Sequence, residues 1–328
     1  MTIMIAAFCT RSENDYRLIV VALVAAIVPI AIRGIISPDF DDVRGINPLE
    51  GISNKNGFSV FALPAILLGG HFFLDPTPTN KFVRWFVGGS VLLIVFAIFS
   101  SGNRSGWLGV GIVFVSFMGI PRRRLKGFTW VALAAAGVAY AVLHYGNSLV
   151  LENRIEGSRA GYLSDDLRRD LFSNAILIGL ENPMFGVTPQ RLPFELAHRV
   201  HFHLSAVDPH NVFGFIVGGS GLITTGLLAY VGYLLYSHMR GKPAAIYKEM
   251  GVQNAVYIAR GLVWIWCVRG MFSREILYNP AFCIALGACF AYRRVHEERA
   301  HREYAASRPP TPNPVPRAAL VDPPRIYG

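Results

Sequence analysis

The chain has 328 residues, of which 52% are hydrophobic and 16% charged, with a formal charge of +10 and a mean hydropathy of +0.39. Soluble domains carry about 25% charged residues, so this deficit, with repeated apolar runs long enough to cross a bilayer, excludes an ordinary soluble fold. Nor does the positive charge indicate nucleic acid, because Lys and Arg sit in short loops and a tail, as the positive-inside rule wants.

In chain order, residues 1–9 are apolar but too short to span, and read as the end of a helix whose beginning is absent. A charged break from Arg11 to Arg17 precedes the first full span, residues 19–36. An acidic loop, 37–56, leads into a second span at 57–73. Residues 85–120 as a single helix would run roughly 54 Å, far beyond a ~30 Å hydrocarbon core. They are therefore predicted as two short spans, 85–100 and 107–120, around the turn Ser101-Gly102-Asn103-Arg104-Ser105-Gly106. Arg104 is thereby held near membrane depth, where a charge costs about 2.5 to 3.5 kcal/mol unless paired or wet. An interfacial arginine that snorkels is the plainer account of the same position.

The basic run 121–127 is assigned to the cytoplasm, and spans follow at 128–145, 212–236, 252–268 and 280–292. Basic loops place both termini inside, giving an all-α polytopic protein of about eight spans, with a membrane domain over 1–300. Residues 301–328, rich in proline and free of apolar runs, are predicted as a disordered cytoplasmic tail. The four cysteines lie in apolar segments without metal or disulfide spacing and read as small core residues. No internal repeat is visible.

Between the fifth and sixth spans lies the one large polar insert, the loop 146–210, assigned to the periplasm. It carries Arg159, Arg168, Arg169, Arg191, Arg199, His198, His201, His203 and His210. Inserts of that length are usually functional or disordered. The apolar turn Asn182-Pro183-Met184-Phe185-Gly186 argues for a folded loop that packs back on the membrane domain. The histidines lack a second cluster or a cysteine pair, so no metal and no cofactor are expected.

Three patterns together resemble the O-antigen ligase and polymerase family of integral-membrane glycan transferases. They are Gly51-Ile52-Ser53-Asn54-Lys55-Asn56-Gly57, then Ser101-Gly102-Asn103-Arg104 before Gly106-Trp107-Leu108, and a long third one. The third runs from Arg168 and Phe172 through Asn182-Pro183-Met184-Phe185-Gly186-Val187 to Pro209-His210-Asn211 at the mouth of a span. Thr188 stands where the family has a second glycine, and Gly219 where it often has an acidic residue. The family usually has more spans, which points to a truncated start.

The resemblance implies transfer of a glycan from an undecaprenyl-pyrophosphate donor to a glycan, lipid A core or protein hydroxyl, in a bacterial inner membrane. It implies His210, Arg168 and Arg104 as catalytic residues, with Asn211, Arg159, Arg169 and Arg191 as substrate contacts. The chemistry agrees. Arginine's always-charged fork suits a diphosphate, and histidine suits removal of a hydroxyl proton near neutral pH. Plainer roles stand beside these. His210 at a span mouth, like Asp208 or Asn211, suits a helix cap, and Arg168 has Asp165, Asp166 and Asp170 as neighbours. A lipid-linked sugar transporter and a non-catalytic remnant are the rival readings.

Overall fold

The computed structural model describes residues 9–36, 55–75, 80–100, 104–118, 165–201, 206–209, 211–240, 250–272, 276–277 and 279–307. Among them there is no strand. The helices are α1 (Glu13–Ile36), α2 (Lys55–Leu74), α3 (Lys81–Ser100), α4 (Arg104–Met118), α5 (Asp165–Glu181), α6 (Leu192–Arg199), α7 (Val212–Arg240), α8 (Met250–Gly270) and α9 (Pro280–Ser307).

The charged break before the first span is a helix start. Asp15 N–H donates to Ser12 Oγ at 3.2 Å while Ser12 N–H donates to Asp15 Oδ2 at 2.9 Å, a reciprocal capping box. The helix therefore begins at Glu13 rather than at residue 19. The stretch predicted as two helices divides into α3 and α4, with α4 opening on Arg104.

Among the described residues, four helices are long and apolar enough to cross a membrane: Glu13–Ile35, Gly57–Leu74, Lys81–Phe99 and Val212–Leu234. Ser105–Phe117 in α4 is apolar but shorter. Two further expected spans, 252–268 and 280–292, lie in α8 and α9 of the same bundle; Arg260 stands inside the first, Arg269 just after it, and Arg293 and Arg294 just after the second. The span expected at 128–145 lies outside the described residues. Helix α9 continues to Ser307, into the stretch predicted as tail. Arg293–Glu297 and Arg299–Glu303 ion pairs, each at i,i+4, support that extension.

The bundle is built around α2, whose Phe58, Leu63, Ile66, Leu67 and Leu68 are fully buried. Small residues let the neighbours approach closely, as bilayer packing favours. A β-carbon added at Gly109 would meet Leu63, one at Gly70 would meet Phe117, and one at Gly261 would meet Ser116 and Leu67. Those pairings set α2 and α4 parallel and run α8 against both. Tyr16 of α1 stacks on Tyr292 of α9 at 4.4 Å, and His71 lies 6.1 Å edge-on to the same ring. The starts of α2, α4 and α9 and the ends of α1, α3 and α8 thus gather at one end of the bundle. Cys289 is buried, with Sγ 3.2 Å from the Ala255 carbonyl, and all four cysteines are free. Arg260 lies over the Tyr257 ring at 5.8 Å.

The remaining helices, α5, α6 and α7, form a second cluster around Leu171, Ala175, Ile178, Leu192, Leu196 and Phe215. Gly214 and Gly218 of α7 form a small-xxx-small strip against α5. A β-carbon at Gly218 would stand 2.7 Å from the Ala175 carbonyl oxygen, and one at Gly179 would stand 2.5 Å from Val217. Because Phe172 meets Gly214 and Gly179 meets Val217, α5 and α7 run parallel.

Candidate functional site

Helix α7 is not continuous. Gly221 has φ 77° and ψ 172°, outside the helical region and favoured only by glycine. A break in a membrane helix leaves backbone groups that lipid cannot satisfy. Here the turn after α5 satisfies them. Leu222 and Ile223 N–H donate to the Pro183 carbonyl at 2.8 and 3.2 Å, and Val187 N–H donates to the Gly218 carbonyl at 3.1 Å. Gly186, at φ 64°, allows the approach, since a β-carbon there would lie 2.5 Å from Gly218 O. The turn read from sequence as packing back on the membrane domain does so, through its backbone. The broken helix itself carries no strong sequence signal beyond the run Gly218-Gly219-Ser220-Gly221.

At the start of α7, Asn211 is the cap. Its Oδ1 accepts from Phe213 N–H at 2.8 Å and from Gly214 N–H at 3.2 Å, while Nδ2 donates to the Met271 carbonyl at 3.1 Å. Two residues before Met271, Arg269 is fully buried and donates to Ser105 Oγ. Ser105 follows Arg104. Phe213 packs edge-on against Trp266 at 5.9 Å, and Val212 lies within the main core. The end of α8 therefore ties the start of α4 to the start of α7.

Arg168 lies one turn before Phe172 on α5, and the parallel pairing brings it level with the start of α7. Arg168 and Arg169 are exposed, and no ion pair joins either to Asp170. Arg191 sits elsewhere. It is exposed, 3.9 Å from Glu195, on the stretch whose Pro189 and Leu192 cover Gly219 and Gly218, about two turns along α7 from Asn211. Arg199 pairs with both carboxylate oxygens of Glu181, Nη1 to Oε1 at 2.9 Å, joining α6 to the end of α5. The Arg199 hydrogen bond holds the Glu181 carboxyl below the usual range.

His210 and Arg159 lie outside the described residues, and of Arg104 only the helix-opening backbone is described. Among the described residues no three His, Cys, Asp or Glu side chains come together as a metal site. Sequence reading missed Arg269, which lies at the end of an expected span where an arginine reads as interfacial. Its total burial and its bond beside Arg104 set it apart.

Residues 89–231 match the family model described as O-Antigen ligase. That segment is similar to the O-antigen ligase family, and the chain around it has the apolar helices of a multi-pass membrane protein. The match starts within α3 and ends within α7, and takes in all seven residues singled out from sequence. No curated protein matched the chain.

Proposed function

We propose that this chain moves a glycan from an undecaprenyl-pyrophosphate carrier to an acceptor hydroxyl in surface-polysaccharide assembly, at a site on the periplasmic side of the inner membrane. The observation that carries this reading is the tie Ser105–Arg269 and Met271–Asn211. It gathers the starts of α4 and α7 beside the start of α5, where Arg104, Asn211 and Arg168 fall. Helix starts carry positive partial charge, so this end of the bundle suits an anionic diphosphate even before its arginines are counted.

In the reaction, His210 takes the proton of the acceptor hydroxyl, and that oxygen attacks the anomeric carbon of the donor sugar. The bond from this carbon to the diphosphate oxygen breaks, and Arg104 and Arg168 stabilise the charge left on the undecaprenyl diphosphate. Asn211 caps α7 and so fixes the chain beside His210, which makes it a positioning residue. Because Asn211 supplies the cap, the capping role read for position 210 is not needed, which supports assigning His210 to proton transfer. Arg159 and Arg169 extend the positive surface toward the donor, and Arg191 serves a more distant part of the glycan. The loop 146–210 and the membrane helices of residues 1–300 together form one functional unit.

The test is transfer by purified protein from a lipid-linked donor. General-base assistance contributes about 10² to 10⁴ in rate, so His210→Ala loses that much while the protein still inserts. His210→Asn, a good helix cap, stays equally inactive. Wild-type transfer by His210→Asn would overturn the role. In cells, deletion that shortens the surface glycan identifies a polymerase, whereas full-length chains stranded on the carrier identify a ligase.

A further inference from the structure

The turn that closes the break in α7 uses its backbone for α7 and turns its side chains outward. Phe185 is 73% exposed and Met184 54%, with Leu180 before them and Phe194 after them also more than half exposed. A monomer in water rarely shows such a cluster without a partner.

The cluster is continuous with another apolar surface. Pro183 bonds Leu222 and Ile223, and from there Leu222, Ile223, Leu227 and Leu228 are exposed along α7. From Leu222 to Arg240 the helix runs about 28 Å, close to the ~30 Å of a hydrocarbon core. From Leu222 to Leu234 this half of α7 is largely apolar and mostly exposed, as a lipid-facing span is. Charges flank the turn on its other side. The Glu181–Arg199 pair and Arg191 are too polar for hydrocarbon and suit the headgroup layer.

We infer that Leu180, Met184, Phe185 and Phe194 form a foot that seats the α5–α6 unit in the interfacial layer of the bilayer, with the Gly221 break at the hydrocarbon boundary. The occupant of this surface is lipid, since the patch continues a membrane-crossing face and is bordered by headgroup-compatible charge. The inference rests on α7 crossing a membrane and needs nothing of the transfer reaction.

The experiment places single cysteines in a variant lacking the four native ones, labels them with an environment-sensitive fluorophore, and reconstitutes the protein in phosphatidylglycerol-containing vesicles. Lipids brominated near the headgroup or near the chain end then serve as quenchers. Phe185→Cys is expected to emit to the blue of Asp170→Cys and to be quenched more by shallow than by deep bromines, whereas Leu227→Cys favours the deep ones. Phe194→Cys gives a second, independent reporter of the foot and is expected to follow Phe185→Cys. Water-like, unquenched emission from both foot positions would overturn the inference, as would blue-shifted emission without quenching, which means protein rather than lipid covers them. Because the readout is lipid contact, an inactive protein gives the same answer as an active one.

Discussion

At Thr188 a β-branched residue stands at φ 75°, directly before Pro189, where both the side chain and the following ring disfavour that conformation. The Thr188 carbonyl accepts from Arg191 and Leu192 N–H at 3.2 and 3.1 Å, so the strained residue also starts α6. Pro189 in turn rests on Gly219, where a β-carbon would come 3.1 Å from the Pro189 Cα. The two departures from the family pattern thus meet at one contact, and the missing side chain at 219 is what lets the strained turn seat. A left-handed conformation costs a non-glycine residue about 1–2 kcal/mol, so Thr188→Gly should raise thermal stability by that order, read as a higher unfolding midpoint in detergent. No gain would mean that the strain is relieved in solution. Among the arginines, Arg168→Lys keeps the charge and loses the bidentate fork. It is expected to cut transfer severely at normal protein level, and full transfer by Arg168→Lys would end its assignment to the diphosphate. Asn211 was legible in the sequence as one of the plausible caps at the mouth of α7. Arg269 was not, because its burial depends on where α4 and α8 cross, and no local pattern encodes that.

At the level of elements, the sequence revealed most of the helices, because apolar runs of span length have few alternatives. It did not reveal the break in α7. A hydropathy window averages over Gly221, and the groups that seal the break come from Pro183 and Val187, far back in the chain. That mode of sealing makes a sharp distinction between glycines of the same helix. A β-carbon at Gly221 would lie 2.7 Å from Gly186 N and 2.8 Å from Pro183 O, in a backbone conformation that alanine disfavours. Gly226 has nothing within 4 Å. Gly221→Ala should therefore detach the turn from α7, seen as fast proteolysis of the loop 146–210 in intact vesicles and loss of transfer. Gly226→Ala should leave both unchanged. Equal protease resistance of the two variants would show that the seal tolerates a shifted backbone.

For the whole molecule, the alternation of helix directions puts the basic half of α9 and the start of α4 at opposite ends of the bundle. Arg293, Arg294 and Arg299 fall in the half of α9 that leads away from the end holding Asn211, Arg269 and the start of α4. If the positive-inside rule holds for this chain, the basic half lies in the cytoplasm. In a cysteine-free background, a membrane-impermeant thiol reagent added to spheroplasts should label Asp170→Cys and spare His301→Cys until the cells are opened. The reverse pattern would invert the protein and move the proposed site to the wrong side of the membrane for a periplasmic acceptor.

The seal on α7 also bears on how the chain is made. Helix α7 emerges from the ribosome after α5 and the turn at residues 182–187, and its own start lies on the same side of the membrane as theirs. With the break open, Gly218 O and the N–H groups of Leu222 and Ile223 would lose these partners at the edge of the hydrocarbon, where unbonded backbone groups are costly. The partners for all three, Pro183 and Val187, precede α7 in the chain and are synthesised before it. The order of synthesis therefore makes the groups that seal the break before the helix that needs them.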